Sequence, residues 1–320
     1  MPHAWRSIRR VLFRIPAAET TFARRGFHNG NHSSSIHLEH VGRSFVYGYD
    51  AALSHDDLQT LAQHLEKVEA KWRGFAFEGA AMALALLDHL MPWKAGRLTV
   101  FLAGPAARHT YLVHVGVGGA IARLIWLRRN IDGCLDQLDA LLRWLAVDGY
   151  GFHEGYFHWP RAVFERKVPK HINGYAARAF DQGLGRSLWF VDGADVDRLP
   201  ITIGKFDACR KADLWSGVGL ACAYAGGASA SAIQTLQKAA GPYSAQLAQG
   251  ASFAAKARDR AGNYEPHTDT ACRILCGLSA ENAAAITDEA LKDLPSADEE
   301  PAYEVWRTRI RTKFGGGIAL

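Results

Sequence analysis

The sequence predicts an all-α or mainly α protein built from helix-pair repeats, which stack into a superhelix or close into an α/α toroid. Apolar residues recur at helical spacing through most of the chain. Strand-like runs are confined to short segments such as 98–103 and 199–203. A short phrase also recurs along the chain, with its glycines roughly 28 to 39 residues apart, which is the period of helix-pair repeats.

The recurring phrase is a large apolar residue, a polar residue, Gly and then a run of small residues. Its copies are Phe77-Glu78-Gly79-Ala80-Ala81, His153-Glu154-Gly155-Tyr156, Phe180-Asp181-Gln182-Gly183-Leu184-Gly185, Trp215-Ser216-Gly217-Val218-Gly219 and Ala248-Gln249-Gly250-Ala251-Ser252, with a weaker version at 115–120. Gly costs about 1 kcal/mol relative to Ala inside a helix. Its repetition therefore indicates a packing or ligand demand.

We expect one mainly helical domain over residues 1–320. Residues 1–40 are expected to form a basic N-terminal arm followed by a polar, turn-rich loop at 28–37. Apolar spacing and capping residues predict helices at 56–71, 80–91, 113–127, 131–147 and 280–291. Residues 295–320 are expected to form an acidic linker, a tail helix at 303–313 and a fraying Gly-rich end.

The amino-acid composition is that of a globular protein. Apolar content of 48% and charged content of 22% are ordinary for a globular protein, and the net charge of +5 comes largely from the first 25 residues. We expect this basic arm to pack on the main body and not to bind nucleic acid. Charged residues interrupt every long apolar run, which predicts no membrane span. No secretory signal is visible, and an odd number of cysteines, five, favours reduced thiols in a cytoplasmic protein.

If the repeats stack in register, the polar residue that precedes the glycine of each phrase faces a common groove or cavity. Those residues are Glu78, Glu154, Gln182, Ser216 and Gln249. Carboxylates beside imidazoles can act as general acids and bases, and a buried Glu with a raised pKa could exchange a proton with an apolar substrate. Candidate catalytic residues are therefore Glu154, Glu78, His153 and Asp213. Candidate substrate-binding residues are His158, Asp181, Gln182, Arg186, Trp215 and Gln249. The alternative is structural, because Glu and Gln near helix starts complete capping boxes.

The sequence predicts neither a metal nor a cofactor. His153 and His158 are five residues apart, which on a continuous helix places the two imidazoles on different faces. The glycines at 116–119 and 183–185 lack the strand–turn–helix context of a dinucleotide site. No nucleophile elbow is present, because Trp215-Ser216-Gly217 lacks the preceding Gly.

Longer phrases carry a resemblance to a known family. They are Arg73–Ala83, Asp148–His158, Arg178–Phe190 and Ala212–Ala221, with Pro16–Phe22 near the N-terminus. Together they resemble a bacterial family of unknown function whose members occur in enediyne polyketide gene sets, and the resemblance spans about Arg10 to Arg309. It implies a role in maturing the enediyne core from a linear polyene. It implies no residue roles and no particular reaction.

Three functions follow as hypotheses. The first is a protein that binds an apolar polyene intermediate and assists its maturation, by acid–base chemistry if it is catalytic. The second is a helical-repeat scaffold that docks other proteins of the pathway on an open concave groove. The third is a cofactor-free cyclase of an apolar polyene, which ranks lowest because aspartate-rich motifs are missing. A closed, dry pocket would favour the first hypothesis over the second.

Overall fold

The computed structural model describes residue 9 and residues 11–294 and 300–315, and within these every regular element is helical. The α-helices of five residues or more are α1 (His32–Ser54), α2 (Leu58–Leu65), α3 (Ala70–Leu90), α4 (Arg97–Ala103), α5 (Thr110–Arg123), α6 (Ile125–Arg129), α7 (Ile131–Leu135), α8 (Arg143–Phe157), α9 (Gly174–Val191), α10 (Arg198–Gly204), α11 (Ala208–Ala225), α12 (Ala230–Ala240), α13 (Ser244–Ala261), α14 (Pro266–Leu275), α15 (Ala280–Ala290) and α16 (Ala302–Lys313). The predicted all-α class is confirmed.

Shorter helices separate most of the long helices along the chain, although α9 follows α8 with no α-helix between them. The long helices α1, α3, α5, α8, α9, α11, α13 and α15 pack against one another in that order. The two strand-like runs of the sequence, at 98–103 and 199–203, lie within two of the shorter helices, α4 and α10.

Several predicted helices differ from the structure at their ends. The predicted helix at 131–147 is interrupted, because the Asp139 carboxylate accepts hydrogen bonds from the backbone N–H groups of Leu141 and Leu142 and starts a new helix there. The helix predicted at 113–127 ends at Arg123, since Leu124 has an extended backbone. The predicted helix at 56–71 contains only α2 and the start of α3.

The predicted polar loop at 28–37 is wrong over most of its length. Helix α1 begins at His32, because the side chain of Asn31 accepts hydrogen bonds from the N–H groups of Ser33 and Ser34 and caps the helix. The described residues of the basic segment before it pack on the main body. Arg9 pairs with Asp56, and Arg25 donates to the backbone carbonyl of Phe157 at 2.6 Å.

Consecutive long helices cross with their backbones in contact. Four of them carry a Gly-x-Gly pair at the crossing, in which the first glycine meets the preceding long helix and the second meets the following one: Gly116 and Gly118, Gly149 and Gly151, Gly183 and Gly185, Gly217 and Gly219. Gly183, for example, packs on the carbonyl of Asp148 in α8, and a Cβ there would overlap that oxygen. Only glycine fits such an approach.

The first helices of the array contact later ones across the molecule. Near the start of α1, Ser34 donates to the carbonyl of Gly227 at 2.6 Å and His37 donates to that of Ala225 at 2.7 Å. Near the start of α3, Arg258 donates to the carbonyl of Lys71 at 3.0 Å. The array therefore curves around a central cavity.

The tail helix predicted at 303–313 is confirmed as α16, which packs against α13 and α15. Trp306 anchors it by donating to the carbonyl of Thr287 at 2.8 Å. The predicted linker at 295–301 lies largely outside the described residues, as does the Gly-rich end beyond Gly315. All five cysteines are free thiols.

Among the described helices, none combines by itself the length and apolar character needed to cross a bilayer. One pair of helices, Ala70–Leu90 with Pro92–Ala103, meets these criteria jointly but is bent by 119° at the break.

Candidate functional site

The central cavity lies between α1, α3, α5, α8, α9 and α11 and is closed on one side by the N-terminal segment at 15–20. The free space between its walls is about 850 Å³, counted out to its mouth. The cavity is narrow. Seven Phe and Tyr rings line its walls: Phe45, Phe75, Phe152, Tyr156, Phe157, Phe190 and Tyr224.

Glu78 and Arg186 bring opposite charges into this apolar cavity. Helix α3 supplies Glu78 and α9 supplies Arg186, and both side chains are buried. Oε1 of Glu78 lies 3.8 Å from Nη2 of Arg186. Burial raises the pKa of Glu78 to about 7, although the charge of Arg186 opposes the rise. The guanidinium of Arg186 also lies over the ring of Phe152, 5.0 Å from its centroid.

Asp148 is a site residue that the sequence analysis missed. Nη1 of Arg186 donates to one of its carboxylate oxygens, and Nε2 of Gln182 donates to the other at 2.8 Å. The analysis took Glu154, before Gly155, as the polar residue of this repeat. The structure shows that Gly149 is the glycine at the crossing with α5. The interval of 33 or 34 residues between successive crossing glycines from Gly116 to Gly250 points to Gly149.

A continuous polar chain runs from the cavity through the interior. It consists of Glu78, Arg186, Asp148, Gln182, Ser216, Gln249 and Arg307. Ser216 donates to Oε1 of Gln249 at 2.8 Å, and the same oxygen accepts from Nε of Arg307 at 3.3 Å. Five of its members precede a crossing glycine: Asp148 and, as the phrase predicted, Glu78, Gln182, Ser216 and Gln249. Of the chain, Glu78 and Arg186 line the cavity.

Seven predicted site residues lie outside the cavity lining: Gln182 and Gln249 belong to the polar chain, Glu154 and His158 lie at the end of α8, and Asp213, Asp181 and Trp215 lie farther away. Asp213 pairs with Arg178 and, at 2.7 Å, with Arg307 of α16, so it holds the C-terminal helix. Asp181 pairs with Arg210 at 2.5 Å, and burial raises its pKa to about 6 despite that partner. Trp215 is buried in the core. Their positions are those of residues that join helices together.

His153, Glu154 and His158 form a cluster at the end of α8. His153 lines the central cavity, whereas Glu154 lines a separate surface pocket that also contains Arg128 and Arg161. The two Nδ1 atoms lie 3.7 Å and 3.4 Å from Oε1 of Glu154. The expectation that the two imidazoles occupy different faces is wrong. The helix ends at Phe157, and His158 turns back until the ring centroids are 5.9 Å apart.

The electrostatics of this cluster differ from those of Glu78. Burial raises the pKa of Glu154, but the adjacent His153 and His158 outweigh burial and bring it to about 2. Burial lowers the pKa of His153, against the effect of Glu154. Glu154 is therefore a carboxylate at neutral pH and His153 a neutral imidazole with an available lone pair.

The family model described as "Protein of unknown function (DUF1702)" matches residues 4–314. No curated protein and no solved structure matches the chain.

Proposed function

We propose that this chain, which belongs to the DUF1702 family of proteins of unknown function, binds an elongated apolar polyene in its central cavity and assists its maturation by acid–base chemistry. The observation that carries the proposal is a buried carboxyl group with a raised pKa, Glu78, inside a narrow cavity walled by aromatic rings. The proposed substrate is a linear polyene of the kind made by an iterative polyketide synthase, and the proposed product is an enediyne core.

The narrow cavity and its mainly apolar lining support a thin, apolar ligand. Small-molecule sites are typically concave and apolar with a few polar groups that fix orientation. Here the polar groups include Glu78, Arg186 and His153, and the remaining wall is mainly aliphatic and aromatic. A conjugated chain presents flat π faces that pack against rings such as Phe152 and Phe190. A bulky or highly charged ligand would find little complementary surface.

The ionisation of Glu78 supports proton transfer. A general acid or base is most effective when its pKa lies near the working pH. With a pKa of about 7, Glu78 holds substantial amounts of both forms at neutral pH and can give or take a proton. Nη1 of Arg186 already donates to Asp148, and Nη2 lies 3.8 Å from Glu78. Because the guanidinium is shared in this way, it does not hold Glu78 in the ionised form.

The enediyne setting rests on the resemblance of the phrases around Gly79, Gly155, Gly183 and Gly217 to a family found in enediyne polyketide gene sets. The scaffold hypothesis required an open concave groove. The mostly buried lining of the cavity favours a small-molecule site over a docking groove. A cyclase would use the same cavity, with Glu78 as its proton donor, and it is the lower alternative.

A binding experiment tests the ligand class. 1,6-Diphenylhexa-1,3,5-triene fluoresces strongly in apolar surroundings and is a neutral, linear triene. We expect saturable binding of one equivalent by the wild-type chain. Ala221→Leu places a larger side chain in the cavity lining and should weaken binding by about tenfold or more, which is about 1.4 kcal/mol. Ala240→Leu is the matched control, because Ala240 is equally buried but lies outside the cavity lining.

Loss of binding in both variants, or unchanged binding in Ala221→Leu, would contradict the proposal. A second experiment separates binding from chemistry. In a strain that lacks the gene, wild type should restore the mature product and Glu78→Gln should not, even though the purified Glu78→Gln protein still binds the triene. Restoration by Glu78→Gln would remove the acid–base role and leave the binding role.

A further inference from the structure

We infer that His153, Glu154 and His158 form a binding site for a divalent first-row transition-metal ion such as Zn²⁺. Within the described part of the chain this is the one group of three or more His, Cys, Asp or Glu residues with converging ligand atoms. The inference is independent of the polyene proposal. It rests on the positions of three donor atoms and on the absence of other partners for two of them.

The donor atoms already have the spacing that a metal ion needs. Zinc binds imidazole nitrogen at about 2.0–2.1 Å and carboxylate oxygen at about 2.0–2.2 Å, which places tetrahedral ligands roughly 3.3–3.5 Å apart. Oε1 of Glu154 lies 3.7 Å from Nδ1 of His153 and 3.4 Å from Nδ1 of His158, and all three ligand atoms lie within 4.8 Å of one another. Rotation of the two imidazole side chains would bring all three atoms onto one ion.

The end of α8 explains why residues five apart converge. His158 follows the last helical residue, Phe157, and its backbone leaves the helical conformation. Its side chain therefore returns toward the last turn, where His153 and Glu154 lie. Two side chains come from the helix and one from the segment beyond it, so an ion would tie the helix end to the chain that follows.

Two of the proposed ligand atoms lack a hydrogen-bond partner among the described residues. Nδ1 of His153 and Oε1 of Glu154 are both buried, and neither makes a hydrogen bond to another described residue. Buried polar atoms without partners are unfavourable and usually indicate an unseen water or ion. The whole residues His153 and Glu154 are each 8% exposed, whereas the His158 side chain is 56% exposed, so an ion could enter from the solvent side.

The surroundings indicate what completes the coordination. Three protein ligands leave at least one position open, as in zinc enzymes and in 2-His-1-carboxylate iron sites. Arg128, Arg161 and Lys167 line the surface pocket beside Glu154, and their charges oppose a bare cation. The same charges favour an anionic further ligand, such as hydroxide or a carboxylate. We therefore expect the bound metal ion to have an anionic ligand on the side that faces this pocket.

The test uses the full-length protein, without an affinity tag that contains histidine, after removal of metal with a chelator. Co²⁺ is the probe, because its visible absorption reports tetrahedral or five-coordinate binding. We expect one equivalent to bind with visible bands and to be displaced by Zn²⁺. His158→Ala and Glu154→Gln should each weaken Co²⁺ binding by at least about tenfold. His28→Ala is the control. His28 also lies beside a carboxylate, that of Asp195 at 3.2 Å, but it does not belong to the three-residue group formed by His153, Glu154 and His158.

Folding of the variants is checked by far-UV circular dichroism, and the half-exposed position of His158 makes misfolding of His158→Ala a small risk. If Glu154→Gln unfolds, His158→Gln provides the second ligand variant. Absence of visible bands in wild type would overturn the inference. Bands that persist unchanged in both ligand variants, or that disappear equally in His28→Ala, would also overturn it. Triene binding by the same samples is read separately.

Discussion

Arg186 approaches Glu78 from one side only: Nη2 lies 3.8 Å from Oε1 of Glu78, while Nη1 donates to Asp148. One guanidinium thus serves two buried carboxyl groups. The cluster is electrically neutral when Asp148 is ionised and Glu78 is protonated. Burial disfavours the charged form of Glu78 and outweighs the attraction of Arg186, and the negative charge of Asp148 adds to this effect, so the pKa of Glu78 is raised.

The first prediction concerns stability against pH. The pKa of Glu78 rises from an ordinary value of 4.5 to about 7 on folding. Between these values the folded state holds a proton that the unfolded state has lost, so the free energy of unfolding falls as pH rises. At about 1.36 kcal/mol per pKa unit, this amounts to about 3 kcal/mol. Glu78→Gln mimics the protonated form and should remove that loss.

Urea unfolding at pH values from 5 to 8 measures this effect. Relative to wild type, Glu78→Gln should gain stability steadily as the pH rises toward 7 and then level off. Glu281→Gln, which changes an exposed carboxyl group in the first turn of α15, controls for the effect of the buffer series. Parallel curves for wild type and Glu78→Gln would show that Glu78 does not carry the excess proton.

The second prediction concerns the helix crossings. Gly183→Ala places a methyl group on the carbonyl oxygen of Asp148 and should force α8 and α9 apart. Overpacking of this kind costs about 3 kcal/mol or more. Gly204→Ala is the matched control, because no atom lies within 4 Å of a Cβ there. Its effect should be within about 0.5 kcal/mol of zero. Equal effects of both changes on the thermal midpoint would contradict backbone contact.

The third prediction concerns the C-terminal helix. Arg307 is fully buried and pairs with Asp213 at 2.7 Å and with Glu304 at 3.0 Å. Arg307→Met keeps the length of the side chain but leaves both carboxylates short of a partner, and it should cost about 3 kcal/mol. Lys313 lies in the same helix as Arg307 and forms an exposed ion pair with Glu289 of α15. Lys313→Met removes that pair and should cost about 0.5 kcal/mol or less. Chemical unfolding of the two variants checks the difference, and a mild effect of Arg307→Met would mean that the contacts of Trp306 hold α16 by themselves.

Helical periodicity was sufficient to predict the class of the fold and the helices near 280–291 and 303–313. It also placed Glu78 in the cavity, because the phrase at Gly79 contains one glycine at a crossing. The repeat between Asp148 and Gly155 contains three glycines, and the choice of Gly155 moved the polar position from Asp148 to Glu154. The interval of 33 or 34 residues was visible in the sequence and would have corrected this choice.

Local sequence also misled in two other places. The polar residues at 28–37 have the composition of a loop, yet Asn31 and the serines after it form a capped helix start. The five-residue spacing of His153 and His158 was interpreted on an unbroken helix, although Pro160 signals an end nearby. The cavity itself depends on contacts between residues near 34–37 and 225–227, and no local pattern encodes a contact across about 190 positions.

The Gly-x-Gly crossings determine how this protein tolerates insertions and deletions. In an α-helix each residue advances the side-chain direction by about 100°. One residue gained or lost between Gly183 and Gly185 therefore rotates one of these glycines out of its crossing. If Gly183 stays in place, the downstream Arg186 leaves the polar chain, and if Gly185 stays in place, the upstream Gln182 leaves it. The connecting segments can vary in length without this penalty. We expect natural length variation among related chains to fall between the long helices and to leave the two-residue glycine spacing intact.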